Sequence, residues 1–304
     1  MCTAIFYKSS GSFFGRTLDH PHSYGEAPMM IRKGYRIKLR RSGELSFLGD
    51  AICMGIDGGG FPLIFDGVNE FGVAVAGLNF PRSARFFEEK KGYLNLASYE
   101  VIPYILAAAR STEQAYDILT RVNITPDKFD TDTDGATLHF MVSDKDRSII
   151  AEQTDEGMRV YSDRFGALTN EPPYPAQCLF MNRYKGLSDR ENQCAFFKED
   201  PLSFGEGSIG LPGDLSSPSR FARAAFGIRF GTVGCKEEEL TTAMHILESV
   251  SVIRGTVKDG KDGYKTQYLS LMDLDSFSYY YRRYDDFSLN KVSENALPDT
   301  VLSL

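Results

Sequence analysis

Short apolar runs broken by turn residues dominate the first eighty positions, the pattern of strands joined by tight connections. They cover residues 3–7, 13–18, 28–35, 51–56, 63–66 and 73–80. Ser9-Ser10-Gly11-Ser12 separates the first two, and Asn69-Glu70-Phe71-Gly72 separates the last two. The period then changes. Over 96–109, Val101, Ile102, Ile105, Leu106 and Ala109 recur at helical spacing, with Pro103 placed to shorten or kink the element. A second helix is expected over 113–122, behind Ser111 and Gln114 in capping-box spacing. Strand-like runs return at 136–142, 148–153, 158–162 and 166–169, separated by turns such as Asp144-Lys145-Asp146 and Asp155-Glu156-Gly157. Helical spacing follows over 219–230 and 237–249, the second opening on acids as the helix dipole favours. A hairpin over 266–272 and 277–284 closes the pattern. Strand blocks alternating with helix blocks predict an α+β fold with helix layers packed on sheets. No repeat or linker divides it, so one domain over 1–304 is expected.

Composition narrows the function. The net charge is −7 with acids and bases interspersed, which argues against a nucleic-acid partner. No apolar run is long enough to span a bilayer, and no basic-then-apolar leader opens the chain, so a cytoplasmic protein is expected. Five cysteines (Cys2, Cys53, Cys178, Cys194, Cys235) are widely spaced without a C-x-x-C pair, which fits reduced thiols. His20, His22, His139 and His245 form no metal-binding pattern. Asp130-Thr131-Asp132-Thr133-Asp134-Gly135 imitates the start of a calcium loop, but Met141 stands where the bidentate Glu is needed, so the segment reads as an acidic loop. Gly58-Gly59-Gly60 matches no phosphate-cradle spacing, and Tyr279-Tyr280-Tyr281-Arg282-Arg283-Tyr284 reads as a packed strand.

The candidate chemistry begins at Cys2. Its side chain is small, so removal of Met1 by an aminopeptidase is expected, leaving a residue with both a thiol and a free α-amine. These titrate near about 8.5 and about 8 in model compounds, close enough to exchange a proton at neutral pH. One residue then supplies nucleophile and base. Arg16 and Asp19 end the second strand, and in a two-strand hairpin that end lies beside the start of the first. Arg16 would favour thiolate, and the Asp19 carboxylate would hydrogen-bond the α-ammonium. Asn79 and Asn170 each end an apolar strand, where they serve either as turn residues or as two amide donors converging on an oxyanion. Arg220, in a first helical turn that disfavours cations, calls for a partner elsewhere.

Taken in order, several segments resemble the choloylglycine hydrolases, the conjugated bile acid hydrolases and penicillin V acylases. They are Met1-Cys2-Thr3, Phe14-Gly15-Arg16-Thr17-Leu18-Asp19, Phe65-Asp66-Gly67-Val68-Asn69-Glu70-Phe71-Gly72, Ala76-Gly77-Leu78-Asn79-Phe80-Pro81, Leu168-Thr169-Asn170, and Gly210-Leu211-Pro212-Gly213-Asp214 with Ser219-Arg220-Phe221. The resemblance implies the four-layer αββα sandwich of the N-terminal nucleophile hydrolases. It also implies Cys2 as nucleophile, its amine as base, Arg16 and Asp19 beside it, and Asn79 and Asn170 as oxyanion and substrate-orienting residues. Arg220 completes the charge network. Leu18, Tyr24, Phe61 and Phe129 are the implied substrate-binding residues. No metal or organic cofactor is implied, and relatives are commonly homotetramers.

Asn79 resembles the bile-salt branch, since the penicillin acylase branch tends to carry Tyr there. Two loops depart from that branch: 58–61 is short and glycine-rich, and 127–134 is acidic where relatives offer apolar groups. His20, directly after Asp19, alters the pocket floor. Amide hydrolysis of glycine- or taurine-conjugated bile acids is therefore expected. Penicillin V or an acyl-homoserine lactone is the alternative substrate, and non-catalytic binding of amphiphiles the alternative function.

Overall fold

The structure is a computed structural model that describes residues 1–131, 134–190, 204–235 and 237–292. Cys194, and Asp132 and Thr133 of the acidic loop, lie outside the described residues.

β1 (Cys2–Lys8) and β2 (Ser12–His20) form an antiparallel hairpin whose register sets Cys2 opposite Leu18 and Ala4 opposite Arg16. β2 also pairs with Lys265–Asp273, which leads to Ser278–Arg283 and Asn290–Lys291, while β1 pairs with Ala167–Leu168. These six strands face a second antiparallel sheet of seven, in the order Gly157–Ser162, Ser148–Thr154, Leu138–Ser143, Ala74–Asn79, Pro62–Asn69, Ala51–Asp57 and Ala27–Ile31.

Helices cover both outer faces. α1 (Val101–Ala108) and α2 (Thr112–Leu119) pack on the second sheet. After α3 (Tyr174–Phe180), α4 (Ser217–Phe230) and α5 (Glu238–Glu248) pack on the first. Side-chain alternation divides the second sheet between two cores: Ala74 and Ala76 turn towards the first sheet, whereas Val73 and Val75 turn towards α1 and α2. Because the first sheet has a sheet on one face and helices on the other, β1 and β2 are buried almost throughout instead of on alternate residues. The result is an α+β, four-layer αββα sandwich. Among the described residues, no helix is long and apolar enough to cross a membrane.

Several elements differ from the sequence expectation. Residues 96–109 are not one helix: strand Leu94–Ala97 comes first, and α1 starts only at Val101. Pro103 therefore stands in the first turn, where its missing N–H costs nothing, and it produces no kink. The second helix stops at Leu119, because Val122–Thr125 pairs in parallel with Leu94–Ala97. Ser111 Oγ accepts from Gln114 N at 3.3 Å, but the Gln114 side chain accepts from Arg110 N instead of Ser111 N. α3 has no counterpart in the sequence expectation; Pro173 is its N-cap and Pro175 lies in its first turn.

Candidate active site

Arg16 and Arg220 are among the largest fully buried side chains, and both meet at Cys2. Cys2 is 4% exposed, and its Sγ accepts from Arg16 Nη2 at 2.8 Å. Hairpin register explains the meeting: Arg16 lies two residues from Leu18, the partner of Cys2, and so on the same face of the sheet. Main-chain carbonyls hold the guanidinium, with Nε on Thr17 O at 3.1 Å and Nη1 on Phe65 O at 3.2 Å and Gly77 O at 3.0 Å. Burial works against the Arg16 charge, but Cys2, Tyr268, Asp66 and Asp19 together hold its pKa above the ordinary value.

The main chain of Cys2 is anchored from the other side. Its N–H donates to Asn170 Oδ1 at 2.9 Å, and its carbonyl accepts from Arg220 Nη1. Arg220 also donates to Thr3 Oγ1 at 2.6 Å and to Asn170 Oδ1 at 2.7 Å. These are the partners that a cation early in α4 called for. Burial lowers the Arg220 pKa, with Asp19 and Cys2 opposing it.

Asp19 is buried, and in the chain with Met1 attached its carboxylate is bonded to neighbouring side chains. It accepts from Thr266 Oγ1 at 2.6 Å and Thr17 Oγ1 at 3.1 Å, and stands 4.0 Å from Arg220. With Met1 attached, the Cys2 nitrogen is a peptide amide with one proton, which goes to Asn170. The Met1 ammonium instead donates to the Asp19 main-chain carbonyl at 2.7 Å. Asn79 and Asn170 are bonded to each other. Asn79 is exposed, and its carbonyl accepts from Asn170 Nδ2 at 2.8 Å.

Of the other expected residues, Leu18 is buried opposite Cys2. Tyr24 is 48% exposed, packs its ring 5.6 Å from Phe65 and meets His20 Nε2 through its hydroxyl at 2.6 Å. Burial, then the nearby Cys2, raises its pKa. Phe61 and Phe129 form a second cluster with Tyr99, ring centroids 5.3–6.1 Å apart. This accounts for the glycine loop: a Cβ on Gly58 would stand 2.5 Å from the Phe129 ring, and Gly59 and Gly60 have φ of 76° and 92°. Two acids of the 127–134 loop are paired. Asp127 accepts from Arg41 at 2.6 and 2.9 Å, which lowers its pKa, and Lys128 pairs with Asp134 at 2.7 Å. A groove of about 1750 Å³ near Tyr161, Phe165 and Phe226 is not lined by Cys2, Arg16, Asn170 or Arg220.

Two buried groups escaped the sequence expectation. His139 lies between Glu152 (Nδ1–Oε1 2.9 Å) and the Thr169 carbonyl (Nε2–O 2.9 Å), with Phe80 stacked on its ring at 4.2 Å. It thereby joins the segment after Asn79 to the one before Asn170. Asp66 accepts from Tyr268 and Tyr279, close to Arg16. The available signal was a single ionisable residue inside each apolar strand, Leu138–Ser143 and Pro62–Asn69.

Two facing sheets between helix layers, with a cysteine at the head of an inner strand, define the fold of the N-terminal nucleophile hydrolases. The profile described as linear amide C–N hydrolases, choloylglycine hydrolase family, matches residues 2–298. The chain belongs to that family and is a linear amide C–N hydrolase of the choloylglycine hydrolase type. It is 36% identical to a bile salt hydrolase/transferase from Lactiplantibacillus plantarum, covering 97% of this chain and 93% of the relative. The C2A mutant of conjugated bile acid hydrolase from Clostridium perfringens superposes with a TM-score of 0.88 at 29% identity, covering 99% and 94%. Penicillin V acylase from Agrobacterium tumefaciens shares the fold, with a TM-score of 0.78 at 18% identity over 99% and 88% of the two chains.

Proposed function

We propose that this chain hydrolyses the amide bond of conjugated bile acids and releases glycine or taurine, with Cys2 as nucleophile. The observation that carries the proposal is the double anchoring of Cys2, its sulfur 2.8 Å from Arg16 Nη2 and its nitrogen 2.9 Å from Asn170 Oδ1. Loss of Met1 converts that nitrogen from an amide into an α-amine. The amine then takes the thiol proton as the sulfur attacks the substrate carbonyl, forming a C–S bond and a tetrahedral oxyanion. Amide N–H groups of Asn170 and Asn79 stabilise the oxyanion. The resulting ammonium protonates the departing glycine or taurine nitrogen, the C–N bond breaks, and water hydrolyses the thioester to release the bile acid. Arg16 donates to the sulfur throughout, and Arg220 holds Asn170 in place.

The substrate assignment is supported by the names of the relatives, by Asn79 where the acylase branch tends to have Tyr, and by the apolar groups Leu18 and Phe65 beside Cys2 and Tyr24. Amino-acid release from glycocholate and taurocholate, measured beside hydrolysis of penicillin V and an acyl-homoserine lactone, tests it. Faster turnover of either conjugate is the expected result; faster turnover of penicillin V or the lactone contradicts it.

A further inference from the structure

Asp66 faces the gap between the sheets from the strand Pro62–Asn69 and is completely buried. Tyr279 donates to its Oδ1 and Tyr268 to its Oδ2, each at 2.5 Å. Hydroxyl bonds that short are characteristic of an ionised carboxylate acceptor. Arg16 Nε stands 4.0 Å from Oδ2, while Nη2 of the same guanidinium donates to Cys2 Sγ at 2.8 Å. Arg16 thus lies between two acidic groups, one of which is the proposed nucleophile. Its orientation does not depend on Asp66, because three main-chain carbonyls hold it.

A buried guanidinium needs an anion nearby. If Asp66 supplies it, Arg16 still offers Sγ a directed N–H, but its charge no longer forces ionisation of the thiol. A thiol held in reserve resists oxidation, and the thiolate formed from it on demand is the stronger nucleophile, since nucleophilicity falls with thiol pKa. We propose that Asp66 is a positioning residue of this kind: it counterbalances Arg16 so that Cys2 rests as a thiol, and Tyr268 and Tyr279 keep Asp66 charged. The proposal rests on Cys2 being the nucleophile.

The other groups around the pair fit these roles. Burial raises the Asp66 carboxyl above the usual range while Arg16 and the two phenols oppose it, so its charge depends on them. Both phenols are raised well above the ordinary value, first by burial and then by Asp66, and so remain donors. Cys53, also near Asp66, is raised by burial and stays a neutral thiol. Around Cys2 stand Arg220, Tyr24 and Tyr264, with Asp19 next to Arg220.

The test is the pH dependence of Cys2 alkylation by iodoacetamide in Met1-free protein, followed by peptide mass spectrometry to separate Cys2 from the other thiols. Asp66→Asn should move the midpoint about one pH unit lower and speed alkylation about tenfold on the acid side. Tyr268→Phe and Tyr279→Phe should move it in the same direction by less. Midpoints that coincide with the parent protein, or rise, overturn the proposal. If circular dichroism shows Asp66→Asn to be unfolded, the two phenylalanine variants decide, because they keep the ring in the core. A Cys2→Ala protein that still hydrolyses conjugates would instead remove the nucleophile assignment, a failure that the alkylation series does not mimic.

Discussion

The carboxamide oxygen of Asn170 lies 2.9 Å from the nitrogen of Cys2, across 168 positions of sequence. On the proposed mechanism the same oxygen accepts one N–H of the α-amine once Met1 is gone, leaving the amine's other positions for the thiol proton and the leaving group.

Replacing Asn170 with Ala should therefore lower kcat by about 10²–10³-fold, the usual range for losing an oxyanion donor, with a smaller change in KM. Steady-state release of glycine from glycocholate checks it. A kcat within a few-fold of the parent protein would show that Asn170 acts only in folding.

His139 carries a second expectation. Its ring nitrogens both face acceptors, Glu152 and the Thr169 carbonyl, each at 2.9 Å, inside a fully buried site. His139→Leu leaves the buried Glu152 Oε1 and Thr169 carbonyl without the ring as a hydrogen-bond partner, which should cost about 1–3 kcal/mol in urea unfolding. It should also reduce turnover, because the Thr169 carbonyl next to Asn170 loses its donor. Destabilisation under about 1 kcal/mol would mean that the pair is dispensable.

Asp214 makes stability depend on pH at the start of α4, the helix that delivers Arg220. Ser216 and Ser219 donate to its carboxylate and hold its pKa down at about 2. A carboxyl depressed in the folded state stabilises the fold above its unfolded pKa, and the contribution disappears as pH falls through the folded value. Asp214→Asn should accordingly melt lower than the parent near neutral pH, with the difference shrinking to nothing towards pH of about 2. A difference that stays constant down the acid range would rule out this linkage.

The β1–β2 hairpin was legible because Ser9-Ser10-Gly11-Ser12 marks its turn, and the turn sets the register that brings Arg16 to Cys2. Helical spacing likewise revealed α4 and α5, within a few residues. What escaped were groups whose partners are far away in sequence. Asp66 bonds to tyrosines more than two hundred positions later, and strand Val122–Thr125 finds its partner before α1. Local pattern carries no trace of such pairings. The contact expected of Asp19 concerns the α-ammonium left when Met1 is removed; with Met1 in place, Thr17, Thr266 and Arg220 surround its carboxylate, and the Cys2 amide turns to Asn170.

The central claim concerns one sulfur atom. Amino-acid release from glycocholate and taurocholate should be compared between the processed parent protein and its Cys2→Ala variant, with intact mass reporting the loss of Met1 in each. Release by the parent and background release by the alanine variant is the predicted result. Comparable release by both proteins would contradict the account.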